Sequence, residues 1–125
     1  MSRKAIQSPD IKAVGPYSHA VDAGGLIFLS GQIPVEPETG KLAPGGVGAQ
    51  TEQCLKNALS VLAAAGLDES HVQKVTVFLT DMADFAAMNE VYKTRFSEPY
   101  PARSAIAVAG LPLGAMVEIE IIAKK

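Results

Sequence analysis

Apolar and polar positions along the chain follow two periods, and the switches between them mark out the elements. Residues 17–23 and 26–30 read as short strands about a Gly24-Gly25 turn, the pattern of a hairpin. The second strand, Leu26-Ile27-Phe28-Leu29, is almost continuously apolar, so it is expected to be central or covered on both faces. Gly31, within Ser30-Gly31-Gln32-Ile33-Pro34, marks a bend or a close backbone approach. A turn-rich connection over 34–48 has the length of a functional loop, not of a domain linker. Residues 49–65 then place Leu55, Ala58, Leu59, Leu62 and Ala65 at helical spacing, with Glu52, Gln53, Lys56, Asn57 and Ser60 opposite and Gly66 as the stop. Over 72–79, Val75, Val77 and Leu79 alternate with Lys74, Thr76 and Phe78, the period of a strand. Asp81 or Asp84 can cap a second helix carrying Phe85, Met88, Tyr92 and Phe96, ended by Pro99 and Pro101. Strands over 103–109 and 116–123, joined through the Gly110 to Gly114 loop, close the chain.

This order predicts an α+β architecture, a mixed β-sheet with two helices packed on one face. Two helices cover one side only, yet the strands carry apolar residues on both, so the second face is expected to meet another surface. A homo-oligomer packed through its sheets is the common solution.

With 125 residues, 48% of them hydrophobic and 19% charged, the chain has the size of one domain spanning 1–125 and enough apolar material for a core. A formal net charge of -2 with no run of basic residues lacks the electrostatic footprint of nucleic-acid binding. One cysteine, Cys54, closes no internal disulfide, and with only His19 and His71 beside it no closed metal site is expected. Cys54 is expected to be a packed thiol, and both histidines surface or turn residues. No apolar stretch of signal-peptide or membrane-spanning length occurs, so a cytoplasmic protein is expected, neither exported nor membrane-bound.

Phosphate-binding glycine motifs and a nucleophile elbow around Ser30 are absent. The informative stretch is Pro101-Ala102-Arg103-Ser104-Ala105-Ile106-Ala107, where period two puts Arg103 on one face with the small Ala105, Ala107 and Ala109. Arg103 is either a rim residue in an ion pair or a fixed fork for a substrate carboxylate. In the last strand Glu118 and Glu120 share one face and Val117, Ile119 and Ile121 the other. Either this is a solvated polar face, or one carboxylate lies near Arg103 and handles water or protons.

Several ordered motifs together carry a resemblance that covers essentially the whole chain. They are Gly15-Pro16-Tyr17-Ser18, Ser30-Gly31-Gln32-Ile33-Pro34, Gln53 to Asn57, Thr76 to Phe85 with Asn89, Pro101-Ala102-Arg103-Ser104 and Val117-Glu118-Ile119-Glu120. In these the sequence resembles the Rid family, also called YjgF-like, and within it the RidA subgroup of imine deaminases. The resemblance implies a chorismate-mutase-like α+β subunit assembled as a homotrimer, with ligand clefts between protomers. It further implies hydrolysis of 2-iminobutanoate and 2-iminopropanoate, released by pyridoxal-phosphate dehydratases, to 2-oxo acids and ammonia, with no metal or organic cofactor.

Carried over residue by residue, it puts Arg103 on the substrate carboxylate, Gly31 as a backbone N–H donor and Glu118 on the attacking water. Tyr17, Ser30 and Asn89 match pocket-lining positions. The chain departs from many relatives at Ala105, where they have cysteine; that position is thought to act through its backbone, so little change is expected, with side-chain size bearing only on substrate width. Some family members are described as endoribonucleases acting on mRNA, a reading the acidic composition disfavours. A non-catalytic small-carboxylate-binding protein is the third possibility, because a fold does not settle a function.

Overall fold

The computed structural model describes residues 2–125, and within them six strands form one sheet with two α-helices. The strands are β1 (Lys4–Ile6), β2 (Ala20–Asp22), β3 (Leu26–Leu29), β4 (Val72–Leu79), β5 (Ala102–Ala107) and β6 (Val117–Lys124), and the helices α1 (Val47–Ala64) and α2 (Phe85–Tyr92). The sheet order is β1-β2-β3-β6-β4-β5; β4 and β5 are parallel and all other pairs antiparallel, so the sheet is mixed. The parallel pair follows from α2, which carries the chain back along the sheet between them.

Side-chain parity along β4 and β6 sets the layers. Val75, Val77 and Leu79 pair in register with Ile121, Ile119 and Val117, and all six are fully or almost fully buried beneath the helices. α1 adds Cys54, Leu55, Ala58, Val61 and Leu62 to this core, and α2 adds Met88 and Tyr92. The helix stop is as the sequence predicts: Gly66 takes φ +76°, and the Leu67 N–H returns to the Leu62 carbonyl at 2.9 Å.

The opposite face has no helix over it. Phe28, Phe78, Ile106 and Ile122 occupy it together with Lys74, Thr76, Glu118 and Glu120. Phe28 is 44% and Ile106 47% exposed. β3 lies inside the sheet between β2 and β6, the central position its apolar run allowed, and is apolar on both sides but covered by helices on one.

Several expectations need correction. The first strand of the hairpin is only Ala20–Asp22, and β1, three residues too short for a period to register, has no signature in the apolar pattern. β1 is held at the sheet edge by its pairing with β2 and by Asp22, whose carboxylate takes Lys4 and Lys125. The Lys125 ammonium and then the Gly25 N–H hold the Asp22 carboxyl well down, at about 2. α1 begins two residues earlier than its apolar pattern, with Gly46 as its N-cap. Asp81 caps a short 3-10 turn, its carboxylate accepting from the Ala83 N–H at 2.9 Å, whereas Asp84 makes no capping bond. Phe96 lies past the end of α2 but still packs on Tyr92, with ring centroids 4.7 Å apart.

The polar face of α1 is the largest departure. Gln50, Gln53 and Asn57 are buried, not solvated. Gln53 Nε2 donates to Asn57 Oδ1 at 2.9 Å, and Asn57 Nδ2 donates to the Val35 carbonyl at 2.9 Å, so α1 grips the loop that follows β3. Gln50 Oε1 likewise accepts from the Met116 N–H at 2.9 Å, fixing the entry to β6. Buried polar groups demand partners, and here Asn57 and Gln50 find theirs in loop backbone and Gln53 in Asn57. Asn57→Ala should lower unfolding stability by about 2 kcal/mol, because it strands the Val35 carbonyl and the Gln53 amide; urea denaturation checks this.

Candidate active site

The residues singled out in the sequence fall into two groups on different parts of the subunit. The first surrounds Arg103. Its Cα pairs with Val75, so its side chain points to the helix side at the outer edge strand. There the guanidinium lies over the Tyr92 ring at 4.7 Å and the Phe85 ring at 5.5 Å, and Nη1 donates to Asn89 Oδ1 at 2.6 Å. Phe85, Asn89 and Tyr92 recur at helical spacing on α2, so one face of one helix holds the fork by stacking and a hydrogen bond. Among the described residues Arg103 makes no ion pair, which removes the rim salt-bridge reading. A cavity of about 500 Å³ opens beside it, lined also by Lys93, Tyr100 and Pro101. Ala105, two residues along β5, packs half-buried against the core on the same face.

The second group is built where the chain leaves β3. The Gln32 N–H and carbonyl pair with Ile119 at 2.8 and 3.1 Å, extending the sheet along β6, and the Ser30 N–H bonds to the His19 carbonyl at 2.9 Å. Between them the Gly31 N–H is unpaired among the described residues. A Cβ on Gly31 would sit 2.9 Å from Glu118 Cδ, closer than real side chains pack, so glycine here gives the Glu118 carboxylate its place. Ser30 Oγ is committed to the Ser18 carbonyl at 2.7 Å and so positions backbone. Tyr17, 42% exposed, shares a second cavity with Gly31.

Glu118 is half-buried, and its carboxyl is pushed above the ordinary glutamate range by burial first and by the neighbouring Glu120 second. It retains its proton to higher pH than a free glutamate and is a correspondingly stronger base when ionised. Its partner in register is Phe78, on the open face of the sheet. Arg103 therefore lies two strands away and on the other face, and one chain does not bring the two together. Of the two readings left open for the glutamate pair, the one that sets a carboxylate beside Arg103 is not met within a single subunit, because strand side chains alternate faces.

Cys54 is fully buried, and burial drives its thiol pKa far above the ordinary range, which leaves it a packed thiol and no nucleophile. His71 closes the turn at Asp68, as expected of a turn residue. His19 departs from the surface expectation: it is 3% exposed, and its Nδ1 accepts from the Ser8 N–H at 2.9 Å, tying down the N-terminal segment. Burial lowers its pKa, so it is neutral and accepts that bond. Among the described residues no three His, Cys, Asp or Glu side chains gather around a common point for a metal ion. No helix among them is long and apolar enough to cross a membrane. Sequence reasoning missed Phe85 and Tyr92 as parts of the Arg103 site because their spacing reads equally as core.

Comparisons with known proteins bear on the family of the chain. Protein DfrA of Myxococcus xanthus is 53% identical over 98% of this chain and 96% of its own length. The 2-iminobutanoate/2-iminopropanoate deaminase of Mus musculus is 51% identical over 89% of this chain and 82% of its own length. The crystal structure of E. coli TdcF with bound serine superposes with a TM-score of 0.91 at 43% identity, covering 98% of each chain. The model of the family described as Endoribonuclease L-PSP matches residues 7–125. On these grounds the chain belongs to the Endoribonuclease L-PSP family, the YjgF or Rid family.

Proposed function

We propose that the protein hydrolyses small 2-imino acids, 2-iminobutanoate and 2-iminopropanoate among them, to 2-oxo acids and ammonia. The observation that carries this reading is the Arg103 fork, preorganised by Phe85, Tyr92 and Asn89 and without a carboxylate of its own. Such a group binds a planar anion, and two parallel N–H donors match a carboxylate. Relatives named as imine deaminases at about half identity support the choice of substrate, and serine bound to TdcF shows that relative holding a small amino acid.

The separation of Arg103 from Glu118 supports a site shared between copies of the chain. Arg103 lies on the outermost strand, and Glu118 on the uncovered face with the exposed Phe28 and Ile106. Packing the open faces around a three-fold axis buries that apolar surface and can bring the edge of one copy to the Glu118 of the next. The homotrimer is thus part of the proposal.

In this arrangement Arg103 takes the substrate carboxylate and the Gly31 N–H steadies the polar end of the imine. Ionised Glu118 accepts a proton as water attacks the C=N carbon of the protonated imine, forming a neutral carbinolamine. Glu118 then returns that proton to nitrogen and, as the C–N bond breaks, takes the proton of the carbinolamine hydroxyl, so that ammonia leaves and the carbonyl forms. The imine carbon is already electrophilic, so orientation and one proton carrier suffice. An RNA-cleaving role finds no basic stripe on a chain of net charge -2.

Imine decay is followed by generating the 2-imino acid in situ with a threonine dehydratase and trapping what remains with semicarbazide. Wild type should accelerate decay, and Arg103→Ala should lose at least about tenfold, the worth of a charge-assisted contact of roughly 1.5–3 kcal/mol. Arg103→Lys should fail nearly as far, since a point charge does not replace the fork. Full turnover by a folded Arg103→Ala protein would overturn the proposal. Activity should also fall on the acid side with an apparent pKa above the ordinary glutamate range, as Glu118 is protonated and ceases to be a base. Glu118→Gln should lower kcat and abolish that acid limb in a pH–rate profile. Light scattering on a sizing column should give three times the chain mass; a monomer would remove the shared site.

A further inference from the structure

The second cavity holds a feature that imine hydrolysis does not require. It has a volume of about 160 Å³, and three of the exposed large apolar residues line it: Val14 at 76% exposure, Tyr17 at 42% and Leu113 at 68%. Ile11 and Ile33 add to the same wall, and Gly31, beside Glu118, forms part of it. Scattered apolar side chains on a surface mean little, but a cluster around one cavity marks a contact site. Of the polar side chains on its wall, Asn57 Nδ2 binds the Val35 carbonyl and Gln32 Nε2 leans on the Ser30 carbonyl, leaving Lys12 and Glu36 as the charged members beside an apolar majority.

Leu113 carries a second, independent mark. Its backbone is left-handed, at φ 59° and ψ 14°, and among the described residues it is the one non-glycine residue with positive φ. A leucine adopts this conformation at a cost, and the side chain it displays is not spent on the core, being mostly exposed. Strain of this kind persists where function uses the geometry. The next residue, Gly114, is also left-handed at φ 75°, so the turn would accept glycine at 113 without rearrangement.

We propose that Leu113 is a specificity residue, closing an apolar subsite next to Gly31 and Glu118 that takes the side chain of the imino acid, so that the protein prefers branched apolar 2-imino acids to 2-iminopropanoate. The inference rests on the imine-hydrolase reading for its substrate class. A cavity of this volume holds a group the size of benzene, so an isobutyl side chain fits where a methyl group leaves most of the wall uncovered.

The test compares kcat/KM for 2-imino-4-methylpentanoate, generated from leucine by an amino-acid oxidase, with that for 2-iminopropanoate. Wild type should favour the branched imine, and Leu113→Gly, which suits the backbone, should reduce the ratio of the two by about tenfold. Val14→Ser should lower the ratio in the same direction, which keeps the test sound should either variant fold poorly. A ratio unchanged within twofold in both variants would overturn the proposal. So would a preference for the acidic 2-iminoglutarate, which would assign the cavity to Lys12 on its wall. Calorimetry with the product analogues 4-methyl-2-oxopentanoate and 2-oxopropanoate separates the two ideas. Tighter binding of the branched acid, lost in Leu113→Gly, in a protein that accelerates no imine would retain the subsite and reject the hydrolase. Equal binding of the two acids, alongside measurable imine hydrolysis, would do the reverse.

Discussion

Side-chain alternation along two central strands is the constraint on which the rest of this molecule depends. β4 and β6 are paired through seven registered positions, so every residue on them is assigned to the helix layer or to the open face. Val75 carries that assignment outward to Arg103, and Phe78 carries the opposite one to Glu118 and Ile106. A slip of one residue in either register would exchange the valine and isoleucine core for lysine, threonine and glutamate. The hydrophobic core thus fixes, as a by-product, that the cation and the carboxylate of the candidate site face different ways. In the proposed reaction this pair can therefore act together only across two copies of the chain.

Arg103 shows how a charged group is kept ready without being neutralised. A carboxylate partner would hold it as firmly but would compete with the substrate. Two aromatic rings and an amide oxygen fix the guanidinium while leaving its charge intact. Stacking of this sort is worth roughly 0.5–2 kcal/mol, enough to narrow the rotamers of a long side chain. All three positioning residues come from a single helix of eight residues, whose inner face is pinned to the core through Met88. Helix, strand edge and cation therefore behave as one rigid piece.

The other half of the site is governed by backbone. Gly31 has no side chain because Glu118 needs the space, and its N–H has no partner among the described residues because the chain is leaving β3 to meet β6 at Gln32. Asn57, buried on α1 and itself held by Gln53, keeps the following loop in place by donating to the Val35 carbonyl. Their burial turns a helix that reads as simply amphipathic into a clamp across the cavity where Tyr17 and Leu113 lie.

The sequence by itself determined the elements that have a period: α1 with its stop at Gly66, the alternation of β4, the shared face of Glu118 and Glu120, and Arg103 at the start of β5. It also carried the family, through short motifs whose order is more specific than any one of them. Those properties are local, set by side-chain spacing and backbone preference within a few residues. Only the tertiary structure decided that Gln53 and Asn57 are buried, that His19 is interior, that β1 exists and that Arg103 and Glu118 lie on opposite faces. Each of these depends on contacts between segments far apart in the chain, such as Asn57 with Val35 or β1 with β2. Polarity alone places a glutamine or histidine at the surface, and a three-residue edge strand has no period to read; a distant backbone partner overrides the first and supplies the second.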